Sequence, residues 1–177
     1  MRLFVTGFGP FGNIVDNPSS DLARSCGLPH QILEVSYQAV DRFLSREYKR
    51  SDFDGLLMIG VNAAATTMRL ESRGINACGP HPDVRGVIGD PVIAEASPRT
   101  KKASLWRPDH YDLEGFKRSY SAGRYLCNYA LYRGLVELPE HKVGFLHVPL
   151  AETVPIIEQA ERLRLLIAAL SANHSQK

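Results

Sequence analysis

The stretch Gly55-Leu56-Leu57-Met58-Ile59-Gly60 constrains the chain most. It is short, apolar and bounded by glycines, the pattern of a strand buried on both faces. Leu3 to Thr6 is a second such run, ending at Gly7 and delivering a glycine-rich loop. Between the two, Asn17-Pro18-Ser19-Ser20 supplies an N-cap and a proline suited to a first helical turn, predicting a helix to about Cys26. Gln31 to Ser36 alternates as a strand does, and a helix follows from about Ala39 to Tyr48. This β-α-β-α-β opening calls for an α/β layered fold whose site lies on loops at strand C-termini.

Further along, Cys78 to Asp112 is rich in proline and glycine with little periodicity, so a long loop or small hairpins are expected. A helix from about Ser121 to Val136 and a buried strand from Val143 to Val148 come next. Thr153 is placed to cap a last helix in which Ile157, Ala160, Leu163, Leu166, Ile167 and Leu170 recur at helical spacing. No repeat or linker divides the chain, which reads as one domain over residues 1–177.

Composition removes several function classes. A 177-residue chain with 44% hydrophobic and 23% charged residues can bury one sizeable core. A net charge of +2 with dispersed Lys and Arg is too weak for nucleic-acid binding, which needs a concentrated basic face. No apolar run approaches membrane-span length and the N-terminal run is too short for a signal peptide, so a cytoplasmic protein is expected. Three widely spaced cysteines, Cys26, Cys78 and Cys127, argue against a disulfide framework. Cys78 and His81 have metal-like spacing but no second close pair, so no metal site is expected.

Among these cysteines, Cys127 stands near the start of a predicted helix, where backbone N–H groups and the helix dipole favour a thiolate and can serve an oxyanion. His147 ends a buried strand, whereas the other five histidines lie in polar or loop-like contexts. Glu71 could hold the imidazole in its productive tautomer, giving a candidate Cys127/His147/Glu71 constellation. Each residue also has a plainer reading: a small buried thiol, a satisfied core histidine and a solvated acid.

The loop Gly7-Phe8-Gly9-Pro10-Phe11-Gly12 satisfies G-x-G-x-x-G after a strand, with Glu34 near the end of the next, which raises a dinucleotide-binding oxidoreductase. Pro10 argues against it by removing an N–H from a turn meant to offer N–H groups to pyrophosphate, and the cap at Asn17 comes too late for Gly12 to open the helix. Phe8 and Phe11 read better as walls of a small apolar pocket. Thr66 and Thr67 could line a polar site or belong to a β-type segment ending at Glu71.

Four blocks in order resemble the pyroglutamyl peptidase I family. They are Thr6-Gly7-Phe8-Gly9-Pro10-Phe11-Gly12 with Asn17 downstream; Gly60-Val61 through Ala65-Thr66-Thr67 to Leu70-Glu71; Ala122-Gly123-Arg124-Tyr125-Leu126-Cys127; and Phe145-Leu146-His147-Val148-Pro149. The Ala-Thr-Thr form of the second block is similar to the animal-type enzymes. The resemblance implies a three-layer α/β/α sandwich around a mixed, mostly parallel sheet, and a cysteine exopeptidase that needs no cofactor. It implies Cys127 as nucleophile, His147 as base and Glu71 as third member, with peptides bearing an N-terminal pyroglutamyl residue as substrates. Phe8 and Phe11 would flank the lactam ring, with Asn17, Thr66, Tyr125 and Leu126 also at the substrate. A catalytically silent pyroglutamyl-binding protein of the same fold remains the alternative, and a homo-oligomer stays open. The chain looks shorter than typical members between Asp90 and Ser119 and after Pro149, which bears on substrate entry and oligomeric contacts more than on the triad.

Overall fold

The computed structural model describes residues 1–48 and 52–172. Its centre is a six-stranded sheet in the order β2-β1-β3-β8-β4-β7. Strands β1 (Leu3–Phe8), β2 (His30–Leu33), β3 (Gly55–Val61) and β8 (Lys142–Val148) run parallel to one another. β4 (Met68–Glu71) lies antiparallel to β8 and carries β7 (Phe116–Ser119) parallel to itself at the edge. The sheet is therefore mixed and mostly parallel. β5 (Arg73–Ile75) and β6 (Thr100–Lys102) form a separate antiparallel pair.

Helices cover both faces. On one, α1 (Pro18–Ser25) packs on β1 and β3 and meets α4 (Ile156–Ala172). On the other lie α2 (Tyr37–Arg42), a π-helical continuation (Phe43–Tyr48) and α3 (Leu126–Glu137), which packs on β8 and β3. Phe4 points from β1 into this second layer, its ring 5.6 Å from that of Phe43 and 5.0 Å from that of Phe53. Every residue of β3 is buried, as its unbroken apolar run requires. The result is the expected three-layer α/β/α sandwich. Among the described residues no helix is long and apolar enough to cross a membrane.

Two helix starts differ from the expected ones. α3 begins at Leu126 rather than near Ser121, because Gly123 takes a φ of +81° and the Arg124 carbonyl accepts from the Gly79 N–H at 2.6 Å. Thr153 does not cap the last helix; its N–H and that of Val154 both donate to the Leu150 carbonyl in a turn, and helix follows Pro155. The irregular stretch from Cys78 to Asp112 contains β6, a Pro82–Ile88 bridge and a 3-10 turn at Pro108–Asp112. β7 is a strand that the sequence pattern does not announce.

Candidate active site

Asn17 caps α1 through its Oδ1, which accepts from the Ser19 N–H at 3.1 Å and the Ser19 hydroxyl at 2.8 Å, while its Nδ2 donates to the Gly9 carbonyl at 2.9 Å. One side chain thus anchors the loop after β1 to the helix that follows. The helix opens at Pro18, well beyond Gly12, so the glycine loop does not form a phosphate cradle at a helix start. It shapes a wall instead: Phe8 is buried and Phe11 half-buried at one side of a cleft.

That cleft is small, with a cavity volume of about 20 Å³, and is lined by Phe8, Phe11, Asn17, Val35, Gly60, Val61, Tyr125, Leu126 and Cys127. Tyr125 and Leu126 belong to the start of α3, Tyr125 as its N-cap without a side-chain capping bond. The Tyr125 hydroxyl donates to the Pro82 carbonyl at 3.0 Å, fixing the ring at the cleft edge. Cys127 is the second helical residue, so it stands in the first turn, whose N–H groups have no carbonyl four residues earlier within the helix. Gly60 makes room for it. A Cβ there would lie 3.1 Å from Cys127 Sγ and 2.6 Å from Phe145 Cζ.

His147 and Glu71 come from the one antiparallel pair in the sheet. Arg69 lies opposite His147 and Glu71 opposite Phe145, so Glu71 and His147 are diagonal neighbours on one face. Their side chains meet, His147 Nδ1 lying 2.7 Å from Glu71 Oε1. Both are buried, Glu71 completely and His147 at 3% exposure, which keeps water from competing for that bond. Glu71 Oε2 has no hydrogen-bond partner among the described residues. Burial alone would push the His147 imidazole below its ordinary value of 6.5. Electrostatic attraction to Cys127, a hydrogen bond to its sulfur, and the Glu71 carboxylate outweigh it and raise the imidazole to about 9. Phe145 packs edge-on against the His147 ring, with centroids 4.9 Å apart, and faces Phe8 at 6.4 Å.

The structure therefore gathers Cys127, His147 and Glu71 beside a cleft that contains Phe8, Phe11, Asn17, Tyr125 and Leu126. Thr66 is not brought in. It is exposed in the turn ahead of β4, outside the cleft lining, and its neighbour Thr67 faces away to donate to the Gly115 carbonyl at 2.6 Å. Val35, Gly60 and Val61 line the cleft without having been singled out as site residues. Gly60 was visible as the last glycine of an apolar strand, but nothing local signals its approach to a sulfur 67 positions away.

The fold and the site define an α/β/α protein with a thiol and an imidazole set beside an apolar cleft, the groups that nucleophilic acyl transfer needs. No family model matches the chain. A pyrrolidone-carboxylate peptidase from Deinococcus radiodurans is 31% identical over 90% of this chain and 83% of its own length. Crystal structures of pyrrolidone carboxyl peptidases superpose on most of it. The protein from Fervidobacterium islandicum gives a TM-score of 0.87 at 26% identity, covering 96% of this chain and 98% of that one. The one from Thermus thermophilus gives 0.76 at 31% identity, covering 93% and 98%. The chain belongs to the pyrrolidone-carboxylate peptidase family.

Proposed function

We propose that this protein removes N-terminal pyroglutamyl residues from peptides, with Cys127 as nucleophile, His147 as acid and base, and Glu71 as the group that orients the imidazole. The observation that carries this is the 2.7 Å contact between Glu71 Oε1 and His147 Nδ1, which leaves the other ring nitrogen for the Cys127 thiol at the mouth of an apolar cleft.

Cys127 Sγ, its proton taken by His147, attacks the carbonyl carbon of the pyroglutamyl residue and forms a C–S bond. The oxyanion faces the free N–H groups at the start of α3. As the oxyanion collapses, the C–N bond breaks and His147 returns its proton to the departing amine, leaving a thioester. Water then attacks the same carbon with His147 as base. The C–S bond breaks, and pyroglutamate and the Cys127 thiol are released.

The cleft supplies the selectivity. It is small and walled by apolar side chains, which favours a flat, uncharged ring over a bulky or charged group. A lactam enters without a charged amine, whereas an ordinary N-terminus would lose its hydration against Phe8, Phe11 and Val35 with no carboxylate lining the cleft. Asn17 clamps the loop through Gly9 and Ser19 and, as part of the cleft lining, has a second Nδ2 hydrogen to offer the substrate.

The test is release of a fluorogenic amine from its pyroglutamyl amide under reducing conditions, with a prolyl amide as control. Turnover confined to the pyroglutamyl substrate and reduced at least about 1,000-fold by Cys127→Ala is expected. Binding of pyroglutamate by folded protein with no turnover would replace this reading with that of a silent binding protein.

A further inference from the structure

The strands that bear Glu71 and His147 are held together from the far side of the sheet by one residue that no part of the mechanism uses. Trp106, the chain's single tryptophan, is buried and its Nε1 donates to the Glu71 carbonyl at 2.9 Å. Its ring lies over Gly144 of β8, three residues before His147. A Cβ at Gly144 would come within 2.7 Å of Trp106 Cζ2. Because Val143, Phe145 and His147 alternate with Gly144 and Leu146, the ring occupies the face opposite the imidazole.

The segment leading to Trp106 is tied to the same two strands. The Ala103 N–H donates to the Ser72 carbonyl at 3.0 Å, directly after Glu71. The N–H groups of Ser104 and Leu105 both donate to the Val143 carbonyl, at 2.9 and 3.1 Å, and Ser104 Oγ accepts from the Val143 N–H at 2.9 Å. Residues 103–106 thus form a clasp across the β4–β8 junction, ending in the indole.

The Glu71 carboxylate needs such outside support. Among the described residues its Oε1 is bonded to the imidazole it is meant to orient, and its Oε2 has no hydrogen-bond partner. A catalytic side chain is held in its productive geometry by packing and by supporting hydrogen bonds; here the direction of the Glu71 side chain is left to the backbone at the end of a four-residue strand. A shift of about 1 Å at a supporting group is enough to cost on the order of a hundredfold in rate.

We propose that Trp106 is a positioning residue of the active site: through its bond to the Glu71 carbonyl and its packing on Gly144, it sets the spacing of the strands that carry Glu71 and His147. The proposal rests on the triad reading given above. It makes Trp106 act through Glu71, without contact to substrate, and it explains why β8 has a glycine at position 144, where any side chain would displace the indole.

The experiment compares wild type with Trp106→Phe, which keeps an aromatic ring and drops the donor, and with a chain in which Trp106 is replaced by benzothienylalanine, which keeps the bicyclic shape and lacks only the N–H. Gly144→Ala pushes on the ring from the other side. Turnover of the pyroglutamyl amide is measured against pH, alongside thermal unfolding and the circular dichroism of each variant. The expected result is a fall in kcat of about 5- to 20-fold in Trp106→Phe and Gly144→Ala with KM changed less than twofold. The alkaline limb of the rate profile moves to lower pH, and the benzothienylalanine protein shows the same changes at nearly wild-type melting temperature. A melting temperature that falls while kcat and the pH profile stay at wild-type values would reduce Trp106 to a packing residue. Should Trp106→Phe fail to fold, the benzothienylalanine protein decides. Glu71→Gln separates the two levels: wild-type kcat in that variant removes the triad reading itself, whereas a large loss there beside unaltered Trp106 variants removes only the clasp.

Discussion

The two halves of the central sheet differ in how they are made and in what they give to the site. In the parallel half, β2-β1-β3-β8, the three inner strands are dictated by burial: β3 is covered on both faces, β1 and β8 are nearly so, and only the edge strand β2 is partly open to water. The added half, β4-β7, runs against it and is built of four-residue strands that carry charge, Arg69 and Glu71 in one, Lys117 and Arg118 in the other. The parallel half supplies the cleft, with Phe8 and Gly60 at the ends of its strands and Cys127 on a helix packed over it. The added half supplies the acid. His147 stands on the last parallel strand, at the seam, and is the residue through which the two halves meet chemically.

Breaking the seam should have the largest effect. Glu71→Gln keeps the shape of the side chain and removes the charge that stabilises the imidazolium. A fall in kcat of about 10²- to 10⁴-fold is expected, with KM near wild type because Glu71 is outside the cleft. Single-turnover and steady-state assays on the same preparation measure it. A kcat within a fewfold of wild type would mean that the added half serves stability alone and that His147 needs no acid.

A change within the parallel half should act differently, on fit. Gly60→Ala places a methyl group 3.1 Å from Cys127 Sγ and 2.6 Å from Phe145 Cζ, so the sulfur or the phenyl ring must give way. Phe145 also packs on His147, and displacing it disturbs thiol and imidazole together. A loss in kcat/KM of about 10- to 100-fold is expected, with a destabilisation of about 1–3 kcal/mol from overpacking. Activity at the wild-type level would show that Cys127 reaches the substrate from another position.

The same division decides what could be read from the sequence. The runs of the parallel half are legible because a strand buried on both faces has little freedom in composition, and Asn17-Pro18 announces α1 as clearly. β7 is not legible: an edge strand presents charge to water, so Phe116-Lys117-Arg118-Ser119 looks like a loop. Cys127 and His147 are conspicuous by place, one at a helix start and one at a strand end. Glu71 becomes distinctive only through the antiparallel register that sets it diagonally across from His147, information held 76 residues apart. Thr66 reads either as polar site lining or as part of a β-type segment, and it stands exposed in the turn ahead of β4, outside the cleft lining. Trp106 has no local signature at all, since its partner is a backbone carbonyl.

The smallest effect expected is the most direct probe of how the halves share His147. The imidazolium is the acid that protonates the leaving amine, so activity should fall on the alkaline side as His147 loses its proton at about pH 9 rather than near 6.5. The sign follows from the neighbours. Burial disfavours the charged ring, while the Cys127 charge and the Glu71 carboxylate favour it and prevail. Removing either negative group must therefore lower the alkaline limb, never raise it. Residual turnover by Glu71→Gln, followed from pH 6 to 10, should show the limb displaced downward. NMR titration of the His147 ring in Cys127→Ala should show a further-reduced midpoint, because Cys127 makes the larger upward contribution. If the limb in Glu71→Gln and the ring midpoint in Cys127→Ala both stayed near 9, neither negative group would hold the proton on His147, and the seam would join the two halves in geometry without joining them in charge.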